Sequence, residues 1–253
     1  PHALNLGCAL LCSLGFQATG ELLLRTATIG GNVFLTGAEL SNPGGNAVNL
    51  DRTTIEGNLF AGRLTARGTF RLQNAVIGGS VLFDGSELTD PYRITTRDQS
   101  SEVAAVTVRP SLDARSVQVG RDFHCQADQF RPFSAVAGVR LRGADVRKSV
   151  SFRGAELNAA SRTFALNLAG MRATELMLAF DTEPIGAVEL SRARVAALYD
   201  NSKLWLATGG LRMDNFVYAS VAIEYGSRWA AQVPPAEPSE ADGSTGPMLG
   251  FVS

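Results

Sequence analysis

Apolar and small residues recur along this chain in pairs two positions apart, with any residue between them. The pairs include Val48/Leu50, Thr53/Ile55, Leu59/Ala61, Leu64/Ala66, Phe70/Leu72, Ala75/Ile77, Val81/Phe83 and Ser86/Leu88, and successive pairs start alternately five and six residues apart. Residues two apart on a strand point the same way. Each pair therefore reads as a two-position inward face followed by a corner, and four such faces close one coil of about 22 residues. An amphipathic helix would repeat every three or four residues. The pairs Gly30-Gly31 and Gly78-Gly79 would also cost a helix about 1 kcal/mol per glycine. The prediction is an all-β, right-handed parallel β-helix: a solenoid whose coils bury their apolar faces only by stacking on one another.

A longer comparison agrees. The 25 residues from Phe16 align without gaps on those from Leu64 at an offset of 48, with 11 identities. A third copy runs from Val139 to Leu157, and degenerate copies begin at Ala165 and Ala187. Small Ala and Ser at one inward position leave room for Leu, Ile or Phe at the other. Glycines are expected at corners that need φ > 0. Insertions at Pro43–Asn46, Thr89–Val103 and Asn158–Thr163 map to corners and are candidate binding loops or plain surface excursions.

The solenoid is expected over residues 1–210. Ala3 to Leu6 matches Ala47 to Leu50 at an offset of 44, four short of the long repeat, so an irregular first coil over 1–15 is expected. The repeat fades after about Asp200. Val217, Val221, Tyr225 and Trp229 fall at i, i+4 spacing, which predicts a short amphipathic capping helix within residues 211–232. Residues 233–253, rich in Pro, Ala, Ser, Gly and Glu, are expected to be a disordered tail.

Charge narrows the function classes. With 23 basic and 24 acidic residues, the formal net charge of −1 offers no field for nucleic acid or an anionic membrane, nor the acidic surface of a DNA mimic. Ala3 to Phe16 resembles a signal h-region, but no Lys or Arg precedes it, and it reads as the first coil. The chain opens on Pro1, which suggests a processed product or fragment. No apolar run reaches the ~18 residues of a membrane span. Three cysteines are too few for a disulfide framework, so a reducing, cytoplasmic setting is expected.

The strings GFQATGELLLRTATIGGNVFLTGAEL, NPGGNAVNL, ALNLAGMRATELMLAFDT and LRMDNFVYASV resemble the pentapeptide-repeat-like solenoid proteins of actinobacteria, over about residues 3–230. Some of those carry the label membrane-associated oxidoreductase. The resemblance implies a right-handed β-helix, and usually a further helical region after the aromatic segment at Phe216–Tyr218, where this chain runs into its low-complexity tail. It brings no catalytic residue, and peripheral membrane association is not readable from it.

A search for chemistry returns little. No GxGxxG follows a strand, and no Walker pattern is present; the recurring Gly pairs sit at equivalent repeat positions and read as corners. Cys8 and Cys12 lie about four coils from Cys125, roughly 20 Å by strand spacing, so they cannot share an ion with it. Cys125 pairs with Phe123 as an inward residue, which leaves His124 outward. Glu39, Glu87 and Glu156 occupy equivalent outward positions, with Asp84 and Asp122 also outward and Arg142, Arg147 and Arg153 nearby. These glutamates and His124 are the surface candidates; no catalytic, cofactor or metal residue is assigned and no cofactor is expected. The expectation is a non-catalytic scaffold that binds a protein partner. The alternatives are a carbohydrate-active β-helix using lined-up acids, or a component of a membrane-associated oxidoreductase.

Overall fold

The computed structural model describes residues 4–96, 105–159 and 164–223. It is a right-handed β-solenoid with almost no helix. Nine turns stack in parallel, counted along the first face through Asn5–Leu6, Thr28–Ile29, Thr54–Ile55, Val76–Ile77, Gln118–Val119, Asp145–Val146, Arg172–Leu178, Arg194–Asp200 and Ser220–Ile223. Each coil has four faces. In the third coil they lie at Thr54–Ile55, Leu59–Phe60 and the two halves of Thr65–Arg71. Every inward pair named from the sequence between Val48 and Leu88 is buried to 1% exposure or less. Small and large residues share the inward pairs as anticipated, at Leu64/Ala66, Ala75/Ile77 and Ser86/Leu88. On the second face Ala61, Phe83, Cys125 and Phe152 follow one another, so small residues separate the rings.

The five-and-six alternation comes from two kinds of corner. Between the second and third faces, and between the fourth and the next first face, a β-turn closes with a bond from residue i+3 back to the carbonyl of i. Ala38 to Leu35, Leu64 to Ala61, Ala75 to Leu72 and Ala193 to Leu190 are examples. The third residue of these turns has positive φ, the type II pattern, and the inward residues on either side are three apart. The other two corners are open bends that need four. Glycine fills the left-handed position at Gly37, Gly85, Gly143 and Gly170, but Thr26 (φ 60°), Arg52 (φ 58°) and Arg192 (φ 60°) fill it elsewhere. Left-handed backbone costs an L-residue about 1–2 kcal/mol, against roughly 0.5–1 kcal/mol of lost chain entropy for glycine. Thr26 is exposed. Thr26→Gly is therefore expected to stabilise the fold by about 0.5 kcal/mol, seen as a higher urea midpoint; a lower midpoint would count against strain at this turn.

Gly30-Gly31 and Gly78-Gly79 occupy an open-bend corner, as their repetition suggested. None of the four has positive φ. Their requirement is steric: a β-carbon on Gly78 would run into the Glu56 carbonyl.

Coil length varies because of corner insertions. Val76 lies over Thr54, 22 residues on, and Gln118 lies over Val76, 42 residues on. Three insertions share one corner. In the second, fourth and sixth coils the third face ends at Ser41, Thr89 and Leu157, and the fourth resumes at Val48, Leu112 and Leu166. In the first, third and fifth coils the same corner is short: Thr19 to Leu22, Arg67 to Phe70 and Ala135 to Val139. The longest insertion forms an antiparallel hairpin, Arg93–Thr96 with Ala105–Val108.

Three expectations change. The first coil is regular, with Asn5 under Thr28 and Leu10 under Val33, both 23 residues away. Leu4 to Leu6 belongs to the first face, whereas Ala47 to Leu50 belongs to the fourth, so the apparent deletion compared two different faces. The coils also continue past Asp200, through Leu211–Arg212 and Ser220–Ile223; the short helix Ser202–Trp205 at a corner only shifts the phase of the repeat. The helix expected from Val217 does not form there. Val217 bridges Arg194, and Val221 lies in a strand over Leu198, because the preceding strand offers unpaired backbone groups. Tyr225, Trp229 and the tail 233–253 lie outside the described residues.

Candidate functional site

The third face carries the repeated glutamates. Glu39, Thr65, Glu87, Ser134 and Glu156 form one outward file, each over the last. The glutamates alternate with hydroxyl residues and stand two coils apart, about 10 Å by strand spacing. All three are exposed. Glu39 accepts from the Gln17 amide at 2.9 Å, and Glu87 lies 4.0 Å from Arg131. Of the arginines expected nearby, Arg142 faces a different surface and Arg147 lines a hollow on the first face. The file is one side of the molecule, as its spacing implied, but its three glutamates stand two coils apart and do not converge.

His124 sits outward and half-buried on the second face, between buried Phe123 and Cys125. Its Nε2 lies 2.9 Å from Ser149 Oγ, which donates to Asp122 Oδ1 at 2.8 Å. Asp122 continues a polar ladder in which Asn32 bonds Asn58, Asn58 accepts from the Ser80 N–H, and Ser80 bonds Asp122. Burial works against the Asp122 charge, but hydrogen bonds from Ser149, the nearby His124 and the Ser80 hydroxyl outweigh it and hold the carboxyl below the usual range. Asp128 is also low: some desolvation is overcome by the N–H groups of Arg131 and Phe130 and by Arg63. Asp84, diagonal to His124, goes the other way. Its burial raises it despite His124 and the Gln126 N–H.

These directions fix a pH dependence. The stabilisation from Asp122 and Asp128 is present above the unfolded value of about 3.9, and is lost as pH falls through their lower folded values. The raised Asp84 carries a penalty at neutral pH, which is relieved as pH falls through its folded value and is gone below ~3.9. Asp84→Asn should therefore raise the urea midpoint at pH 7 and have a vanishing effect near pH 3.5. A loss of stability at pH 7 would show that the carboxylate is net favourable.

The fourth face holds what the sequence reading missed. Its central outward file runs Leu23, Asn49, Arg71, Asp113, Arg140, Asn167, Glu189, Arg212. Beside it lie Asp51, Gln73, Arg115, Arg142, Ser191 and Asp214. The acids are engaged. Asp51 pairs with Arg71 and accepts from Gln73 N–H; Asp113 accepts from Gln73 and Arg115. Glu189 accepts from Ser191 N–H and faces Arg212 at 3.9 Å, and Asp214 accepts from the Ser191 hydroxyl at 3.4 Å. Burial lowers the Arg140 guanidinium; Asp113 opposes this, while Arg115 and Arg142 add to it. Two adjoining cavities of about 470 and 180 Å³ open here and share Phe164 and Asn167 in their walls. The outward residue of each coil, stacked by register, is the signal that would have found this groove.

Among the described residues no group of three His, Cys, Asp or Glu side chains converges to hold a metal ion. The cysteines are free: Cys8 is exposed, while burial raises the Cys12 and Cys125 thiols. No described helix is long and apolar enough to cross a membrane. No family model matches the chain, nor does any curated protein or solved structure.

Proposed function

We propose that this chain is a non-enzymatic solenoid module that holds a protein partner along the corner between its third and fourth faces. The observation that carries this reading is the placement of all three long insertions of that corner in alternate coils, so that loops of different length line one edge of a rigid body. Loops on a rigid scaffold are where binding residues concentrate, and solenoids bind through extended surfaces. The hairpin is tied down at its base, where Tyr92 N–H donates to Thr69 Oγ1 at 2.9 Å and Arg109 lies over the Tyr92 ring at 4.6 Å. The test replaces residues 90–111 with Gly-Thr, the pair that turns the same corner at Gly68-Thr69. The replaced chain should keep its cooperative β-type melt and lose a partner that crosslinks to the full chain and binds it when both are purified. A partner held equally well by both chains would move the binding surface elsewhere.

One observation favours a hydrolytic reading instead: raised Asp84 and lowered Asp122 lie near His124, the kind of divergence that separates an acid from a base. Release of reducing ends from a polysaccharide by the chain, abolished by Asp84→Asn and by Asp122→Asn, would replace the first reading with this one.

A further inference from the structure

The groove on the fourth face has a charge pattern that its own residues leave unfinished. Arg142 and Arg192 line the 470 Å³ cavity and Arg140 the 180 Å³ one. None of the three guanidiniums makes a hydrogen bond or ion pair among the described residues, although Asp113 lies near that of Arg140. The two acids of the larger cavity, Glu189 and Asp214, are already engaged by Ser191, and Glu189 also faces Arg212. Asn167, which lines both cavities, accepts from Ala169 N–H at 3.2 Å, so its amide NH2 is what it offers a ligand. The two cavities thus carry three guanidiniums against two carboxylates, in a chain whose formal charge is −1. Phe164 supplies an apolar wall between the cavities, with the Arg212 guanidinium 5.2 Å from its ring centre. Donors with no acceptor of their own call for a ligand rich in acceptors, and guanidinium matches carboxylate in fork geometry.

We infer that this groove binds an extended acidic peptide, with carboxylates at Arg142 and Arg192 and an apolar side chain against Phe164. The spacing sets a motif. Arg142 lies in the fifth coil and Arg192 in the seventh, two strand spacings or about 10 Å apart. An extended chain advances roughly 3.3 Å per residue and only every second side chain points the same way, so the two acidic residues stand four positions apart, a span of roughly 13 Å within reach of the long arginine side chains, with the apolar residue midway between them. The inference rests on the interaction-module reading and gives the chemistry of its partner.

The test titrates an end-blocked eight-residue peptide, with glutamates four apart and leucine midway between them, into the full chain by calorimetry. Its twin carries glutamine in place of both glutamates. The glutamate peptide should bind, and its affinity should fall with added salt. The glutamine twin, and separately the double variant Arg142→Gln/Arg192→Gln, should lose on the order of tenfold or more. Both arginines are exposed, so the variant should melt with the parent. Three results would overturn the inference: no binding of the glutamate peptide, equal binding of the twin or by the variant, or displacement by inorganic phosphate at the peptide's own concentration, which would make this a simple anion site. If the peptide fails while the hairpin-dependent partner is retained, the groove assignment falls alone. If both fail, the interaction-module reading falls with it.

Discussion

Phe83→Ala should cost about 4 kcal/mol, near the top of the range for one substitution. Phe83 is fully buried at the centre of four rings. Phe70 meets it edge-on at 4.9 Å, while Phe123 and Phe133 lie 6.3 and 6.4 Å away. These rings come from three successive coils and three faces, so truncation opens a cavity that no single coil can close by shifting. Small Ala61 and Cys125 stack directly on Phe83 within its own file, and neither has the bulk to fill the gap. Phe34 is the internal control. It is half-buried and outward, and stacks on Phe60 at 5.0 Å with an interplanar angle of 17°. Phe34→Ala keeps the inner core intact and should cost only about 1 kcal/mol. Urea unfolding of both variants, followed by far-ultraviolet circular dichroism, gives the comparison. Equal losses would mean that inward and outward positions are not energetically distinct, contrary to the solenoid packing.

What could be read in advance follows from what repeats. Inward pairs recur in every coil, so Val81/Phe83 and Ser86/Leu88 were legible as core from spacing alone. All four faces use the same kind of pair, however, so spacing does not say which face a pair belongs to. That is why Leu4 to Leu6 looked like Ala47 to Leu50 although they lie on different faces. At the other end, Val217 and Val221 fit helical spacing, but Phe216/Tyr218 and Ala219/Val221 fit strand spacing equally well. The exposed edge of Arg194–Asp200 decides between them, and an edge is a tertiary fact.

The outward surfaces divide in the same way. Glu39, Glu87 and Glu156 were found because they hold one repeat position. The groove was not, because Arg142 and Arg192 are fifty residues apart and become neighbours only when the coil lengths between them are known. The ladder from Asn32 to Ser149 was hidden for the same reason: its members differ in type, and only register lines them up.

Gly120→Ala should cost about 3 kcal/mol, a large effect for the addition of one methyl group. Gly120 turns the bend between the first and second faces. A β-carbon there would run into the carbonyl oxygen of Gly78 in the coil below. The Gly120 N–H donates to Ile77 O at 2.8 Å, so the two coils cannot part to make room without stretching ladder bonds. The backbone angles are not the obstacle. Gly120 has no positive φ, and Glu56 and Arg147 carry side chains at the equivalent corner of other coils. What differs at Gly120 is how closely the carbonyl of the coil beneath approaches the place of its β-carbon. Gly7 tests this, since it holds the same corner in the first coil and nothing lies within 4 Å of a β-carbon placed on it. Gly7→Ala should therefore be neutral, or stabilising by up to ~1 kcal/mol through the unfolded chain. Thermal and urea midpoints of the two variants should thus move apart, one sharply down and the other level or up. If both fell together, the demand for glycine would lie in the turn itself and not in the approach of one coil to the next.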